Sequence, residues 1–463
     1  MTHLRRTTIV LTILTLVGCA STPPSIPLPE PRPLGSDLAA YRAPKSPGEE
    51  RAAFTEPDGV LTLRDAMAAA LLGSPDLASS SHEVRAAEAR ELQAGLIPNP
   101  EMAIELEEFG GTGDAEGFDV SELSLGLSQE ILLGAKIRLR TAVANLEGRL
   151  AGWAYEAARL DVLTDSTKAF IEVLAAQERV QVLTESVRLS EAAAHSVGEQ
   201  VAAGKVPRLE ENRAAVTLAL QQLALQRAMR SLAVRRQDLS GTWGGTTVSY
   251  ERLTGDFYAI RPVPTPDALN AFLADNPELA RRAVETELAR AKIALEKAGG
   301  IPDVTLEGGV RRFNEGSVIA FFVGIEFPLP VFDQNQGSVF EARAEADRVR
   351  EEQRAAVVRL TRELNEAWQV LAVAASESTM LKTRILPLAK GAFEAAGEGF
   401  RQGKFAYLDV LDAQRTLFET REQLVDALAA YHTAVADVER LIGRSLLNLS
   451  DGQTPGHLEG EDR

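Results

Sequence analysis

The run Ile301-Pro302-Asp303-Val304-Thr305-Leu306-Glu307-Gly308-Gly309-Val310-Arg311 contains the change of period that decides the fold. A helical stretch from about Glu278 ends at Pro302, whose ring and missing N–H cannot continue it. Beyond it Val304, Leu306, Gly308 and Val310 alternate with Thr305, Glu307, Gly309 and Arg311, the two-residue period of a strand. After a turn-like Asn314–Ser317 connection, Ile319, Phe321, Val323, Ile325 and Phe327 form a second apolar row. The same event occurs upstream. A helix from about Glu83 ends at Pro98, and Met102, Ile104 and Leu106 then alternate with Glu101, Ala103, Glu105 and Glu107. Across Gly110–Asp119, Leu123, Leu125 and Leu127 alternate with Glu122, Ser124, Gly126 and Ser128.

Each of these four segments is roughly 9–11 residues, the length a tilted strand needs to cross a bilayer. A half-exposed hairpin on a soluble protein has the same local pattern. If the strands do span a membrane, four are too few to close a barrel, and an open edge in lipid leaves backbone groups unpaired. Spanning therefore requires further copies of the chain.

The two hairpins belong to a duplicated sequence. Gly73-Ser74-Pro75-Asp76-Leu77 recurs as Asp275-Asn276-Pro277-Glu278-Leu279, and Ile97-Pro98-Asn99 as Ile301-Pro302-Asp303. Gly198 and Gly204 recur as Gly397 and Gly403. Near-constant spacing over so long a stretch divides the chain into a first repeat (61–240), a linker (241–264) and a second repeat (265–446). Thr62 with Asp65, and Thr265 before Pro266, open the repeats as helix caps. After each hairpin a very long helix is expected, from about Gly134 to Ala203 and from Gly337 to Gln402. In the first, Leu146, Leu150, Trp153, Ala157, Leu160, Thr164, Thr167, Ile171 and Leu174 keep a 3.5-residue period. In the second, Val357, Leu360, Leu364, Ala367, Leu371, Ala374, Ser378, Leu381, Ile385 and Leu388 do the same. That period defines a left-handed coiled-coil seam. Gly204 and Gly403 permit tight reversals into shorter returning helices, and Pro387 is expected to bend its helix.

At the start, Arg5 and Arg6, the apolar Thr7–Leu16 and Leu16-Val17-Gly18-Cys19 read as a secretion signal over 1–18. Cys19 is the only cysteine, so no disulfide forms within one chain. Residues 19–60 are rich in proline and are expected to be an extended tether that builds no core. The polar tail 447–463 is expected to be disordered. Aromatics are only 5% of the chain, which favours long helices over sandwiched sheets. The net charge of -17 argues against a nucleic-acid partner. His3, His82, His195, His432 and His457 are scattered, with no ligand spacing. No phosphate loop, metalloprotease helix or nucleophile elbow occurs, so neither an enzyme, a cofactor nor a bound metal is expected.

Leu61 to Leu446 resembles the outer-membrane factor family, the TolC-like channels of tripartite efflux pumps. The most specific piece is Gly399-Phe400-Arg401-Gln402-Gly403-Lys404-Phe405-Ala406-Tyr407-Leu408-Asp409-Val410-Leu411-Asp412-Ala413, with the family's Gly-x5-Asp-x2-Asp spacing. Gly204-Lys205-Val206-Pro207-Arg208-Leu209-Glu210 is a weaker echo. Phe327-Pro328-Leu329-Pro330-Val331-Phe332-Asp333-Gln334-Asn335-Gln336-Gly337 is similar to the CzcC-like branch that serves heavy-metal pumps. This stretch also reads as a strand-to-helix turn, with prolines stopping the strand and Asp or Asn capping the helix. Leu16–Cys19 resembles a bacterial lipobox, which implies lipidation of Cys19 and a lipid-anchored protein of the outer membrane.

The resemblance implies a mainly α protein with β: a homotrimer whose twelve strands close a barrel, continued by an α-helical tunnel into the periplasm. It implies two protein partners, a periplasmic adaptor and an inner-membrane RND pump. The expected cargo is heavy-metal cations of the cobalt-zinc-cadmium or the copper-silver class; multidrug, solvent or type I secretion channels are the alternatives, and a non-pore periplasmic coiled-coil scaffold lipoprotein is the rival class. The tip turns Gly204, Lys205, Gly403 and Lys404 would meet the adaptor. Asp409 and Asp412 share one helix face; the resemblance points it into the periplasmic mouth, with Glu210 in the matching first-half place. Arg213 matches Asp412, so a link between neighbouring helices would hold the mouth shut. Glu101, Glu105, Glu107, Glu122 and Glu307 would line the barrel lumen, because charges facing lipid cost roughly 2–4 kcal/mol each.

Overall fold

The structure, a computed structural model, describes residues 23–45, 54–113 and 116–446. Cys19 and the tail 447–463 lie outside the described residues. β1 (Gly59–Leu61) leads into the first repeat, which contains α1 (Leu63–Gly73), α2 (Pro75–Ala94), β2 (Glu101–Glu107), β3 (Glu122–Ile131), α3 (Lys136–Ala202) and α4 (Arg208–Gly241). After β4 (Tyr250–Leu253), the second contains α5 (Pro266–Asn270), α6 (Pro277–Gly299), β5 (Val304–Phe313), β6 (Val318–Glu326), α7 (Gln336–Met380), α8 (Leu386–Arg401) and α9 (Tyr407–Ile442).

The helix starts follow local chemistry. The Thr62 side chain accepts from the Asp65 N–H while Asp65 accepts from the Thr62 N–H, a reciprocal cap. Thr265 caps α5, which is a single short segment followed by a 3-10 turn at Leu273–Asp275. The second helix of the first repeat starts at Pro75, earlier than the Glu83 expected, because Ser74 caps it and Pro75 supplies the first helical φ.

The strands form one four-stranded antiparallel sheet in the order β2-β3-β5-β6, hairpin beside hairpin. All four are hydrogen-bonded in register, and β2 and β6 are left as free edges. α3 leaves the sheet and runs 67 residues, roughly 100 Å at 1.5 Å per residue. It lies at the centre, packing on α2 and α6 near the sheet and on α4 and α9 further away, while α7 packs on α6 and α9. One side of α4 and one side of α7 are left without a neighbour: Val216, Leu220 and Val234, and Val358, Val370 and Val373, are exposed.

Pro387 does not simply bend its helix. A π-turn at Leu381–Ile385 precedes it, adding one residue to the turn and relieving the clash that proline imposes upstream. The seam then shifts by one. Leu360, Leu364, Leu371, Ala374, Ser378 and Leu381 are buried as expected, but Val357 at the start of the seam is exposed, as are Ile385 at the end of the π-turn and Leu388 after it, while Ala389 and Ala396 are buried.

The proline-rich segment is not a free tether over residues 23–45. It runs along α3 as a strap, with Ile26 against Gly148 and Pro29 against Gly152. The Arg32 N–H donates to Glu156, and Arg159 donates to the carbonyls of Arg32 and Leu34. Glu156 and Arg159 are a buried pair at 2.8 Å. Without Cβ atoms at 148 and 152 the strap can approach closely, so the glycines supply what burial alone does not. The 241–264 linker is likewise structured in part, because β4 pairs in parallel with β1.

Candidate functional site

The sheet has two chemically distinct faces, fixed by register. Met102, Ile104, Leu125, Leu127, Phe321, Val323 and Ile325 lie on one, and all are exposed, Val323 by 86%. The opposite face is polar and falls into rows across the strands. The row nearest the hairpin turns is Glu107, Glu122, Phe313 and Val318; the next is Glu105, Ser124, Arg311 and Ala320. Then come Ala103, Gly126, Gly309 and Phe322, and after them Glu101, Ser128, Glu307 and Gly324. Glu130, Thr305 and Glu326 close the helix end. The five acids expected to share a surface, Glu101, Glu105, Glu107, Glu122 and Glu307, do so. Glu130 and Glu326 join them, and extending the alternation of β3 and β6 by one step finds both.

Arg311 is the cation on this face. Its guanidinium lies 3.1 Å from the Glu122 carboxylate and 3.8 Å from that of Glu107, and its Nε donates to Ser124 Oγ at 3.0 Å. It sits 5.9 Å from the ring centre of Phe322. The tip of that ring covers two glycines: a Cβ on Gly309 would meet it at 2.7 Å and one on Gly126 at 3.3 Å. Glu307 similarly lies over Gly324. Small residues on the neighbouring strands therefore let large ones lie along the sheet.

At the sheet–helix junction, Lys136 Nζ donates to Asp303 at 2.6 Å and to the Ile301 carbonyl at 2.7 Å. The long helices of both repeats enter through left-handed residues, Ala135 (φ 58°) and Asn335 (φ 60°). The Asx cap expected for α7 is not made. Asn335 instead donates to the Glu296 carbonyl and carboxylate, fastening α7 to the end of α6, while Asp333 accepts from the Asn335 N–H.

Far from the sheet, the two interhelical turns pack on each other. Gly204 and Gly403 adopt φ of 70° and 71°, and Lys205 and Lys404 donate backbone N–H groups to Gln200 and Gly399. These four turn residues are exposed. Val197, Ala214, Ala396, Tyr407 and Val410 form a common core beneath them. Burial, and then the Glu210 carboxylate, push the Tyr407 phenol up to about 12. Asp409 accepts the Ala406 N–H at the start of α9, so a local cap accounts for its position. The link expected between Arg213 and Asp412 is absent within the chain. Arg213 pairs with Glu210 at 2.9 Å and Asp412 with Arg415 at 3.0 Å, partners one helical turn away on their own helices. Among the described residues no metal-holding group of three His, Cys, Asp or Glu occurs, and no helix is long and apolar enough to cross a membrane.

Residues 66–245 and 268–444 match the outer membrane efflux protein family. The chain belongs to that family. The efflux protein is 33% identical over 389 residues to the cobalt-zinc-cadmium resistance protein CzcC of Cupriavidus metallidurans, covering 84% of this chain and 91% of that one. It is 24% identical to the nickel-cobalt-cadmium resistance protein NccC of Alcaligenes xylosoxydans xylosoxydans, covering 67% and 70%. Among solved structures it resembles a CusC transmembrane channel with a TM-score of 0.72 at 18% identity, covering 83% and 92%. The efflux protein is thus an outer-membrane efflux channel component with the TolC-like protomer fold, and its relatives are channels rather than enzymes.

Proposed function

We propose that three copies close into a twelve-stranded barrel that spans the outer membrane, with the apolar face toward lipid and the acidic face lining the lumen. The observation that carries this is the sheet itself: both edges are unpaired, and one face is uncovered and apolar except for Gln129 towards the helices and Arg312 in the row by the hairpin turns. In lipid, copies must supply the missing edges. The uncovered sides of α4 and α7 meet the same need below the sheet, joining neighbouring protomers into a helical tunnel. Selectivity for cations follows from the acidic wall, since rings of carboxylates concentrate cations and disfavour anions.

The cargo is heavy-metal cations of the cobalt, zinc, cadmium or nickel kind, drawn from the periplasm by an inner-membrane RND pump through a periplasmic adaptor. CzcC and NccC, each named for metal resistance, support this. The exposed turns at Gly204–Lys205 and Gly403–Lys404 dock the adaptor. Glu210, Arg213, Asp409 and Asp412 form the periplasmic gate, with Arg213 and Asp412 exchanging their local partners for one another across the protomer boundary.

Acylated Cys19 anchors the chain. The strap's first described residues lie at the sheet end of α3. Ile26 meets Gly148, 12 residues past Lys136 and so roughly 18 Å along the helix. The seven steps from Cys19 to Ile26 reach about 24 Å when extended, enough to return to the membrane.

Deleting the gene should sensitise cells to zinc, cobalt or cadmium salts, and restoring it should recover tolerance. Unchanged metal tolerance with increased drug sensitivity would replace the metal reading by multidrug export.

A further inference from the structure

The charge on the polar face is distributed unevenly along the strands. Towards the helices, Glu101 and Glu307, then Glu130 and Glu326, have no ion-pair partner among the described residues. Towards the hairpin turns, Glu107 and Glu122 converge on Arg311. An uncharged row containing Phe322, Gly309 and Gly126 separates the two zones. Arg311 is held from three sides: by the carboxylates, by Ser124 Oγ at 3.0 Å and by the Phe322 ring. A free lumenal arginine would swing into the pore; this one is kept at the wall, beside the acids it offsets.

In a trimer the helix-end zone carries twelve carboxylates, four from each chain, without a fixed counter-charge. The outer zone carries Glu105, Glu107, Glu122 and Arg311 from each chain, so one in three of its negative charges is offset. A conducting pore must attract its ion and also let it go, and a uniformly acidic wall would retain multivalent cations at the exit.

We propose that Arg311 sets selectivity at the outer end of the channel, neutralising the exit so that cations gathered by the inner zone are released. This rests on the trimeric-channel reading. Arg311 binds no cargo; it determines how strongly Glu107 and Glu122 can.

The test uses the purified full-length trimer in planar lipid bilayers, with the reversal potential measured across a potassium chloride gradient. Zinc chloride added on the hairpin side is the probe. Arg311→Gln should raise the potassium-to-chloride permeability ratio by about twofold or more and make the channel sensitive to outer-side zinc block. Adding Glu107→Gln and Glu122→Gln to that variant should reverse both effects. Should Arg311→Gln fail to assemble, the Glu107→Gln/Glu122→Gln pair in the wild-type background decides instead. It leaves Arg311 unopposed and should lower the ratio.

A conducting Arg311→Gln channel with wild-type reversal potential and zinc response overturns the inference and leaves the channel reading standing. An unchanged ratio in the paired variant does the same. A wild-type protein that forms no channel overturns the trimeric-channel reading, and this inference with it.

Discussion

Replacing Val323 by arginine tests the assignment of the two sheet faces. Val323 lies within β6 between Phe321 and Ile325 on the apolar row, opposite Gly308 of β5, and is 86% exposed in the protomer. If that face meets lipid, an arginine near the bilayer midplane costs roughly 2–4 kcal/mol, or about 6–12 kcal/mol for three copies. Even the low end corresponds to a shift of more than about ten-thousandfold in the assembly equilibrium, at 1.4 kcal/mol per factor of ten. Snorkelling towards the headgroups lowers the cost without removing it. The matched control is Ser128→Arg. Ser128 lies on the polar face, in the row of Glu101 and Glu307, where a cation meets opposite charge. The assay is the yield of heat-modifiable trimer extracted from the outer-membrane fraction. Val323→Arg should abolish it and Ser128→Arg should retain it. Wild-type trimer from Val323→Arg, or loss in Ser128→Arg alone, would refute the facing of the sheet.

Three further predictions concern the helical body. Arg159→Met strands the buried Glu156 carboxylate and two strap carbonyls, and should cost about 3–5 kcal/mol, read as earlier thermal unfolding and proteolysis of the strap; adding Glu156→Gln should recover part of the loss. His432, donating through Nε2 to the Phe257 carbonyl, has its pKa lowered below 6.5 by burial, so the unfolded chain takes up its proton first. The stability this gives is present above the unfolded value and is lost as pH falls through the folded one. Wild type should therefore lose stability relative to His432→Gln as pH falls below the ordinary histidine value of 6.5, in thermal unfolding scans. Gly403→Ala places a Cβ in the left-handed region and should cost about 1–2 kcal/mol at the tip turn, measured as faster amide hydrogen exchange there with the sheet unaffected.

The fold was legible where one rule operates along a whole segment. The strand alternation after Pro98 and Pro302 fixed both sheet faces, and the duplication predicted the order of elements. What the sequence did not reveal depends on contacts between distant segments. The strap has the composition of a linker, and only Gly148 and Gly152, far away in α3, create the track that receives Ile26 and Pro29. The seam beyond Leu381 shifted because a π-turn costs one residue of register, which a strict heptad count cannot anticipate. At the site, the acids were found by period, whereas the role of Arg311 depends on the neighbouring strands bringing Glu122, Ser124 and Phe322 to it. The equivalence of Arg213 and Asp412 by repeat position did not predict pairing within one chain, where each has a nearer partner on its own helix.

Single-channel recording from the purified protein in planar lipid bilayers, alongside its mass in detergent, tests directly whether copies of the chain form a channel. A trimer that conducts and favours cations over anions is expected. A protein that remains a monomer without detergent and produces no conductance would contradict the channel reading.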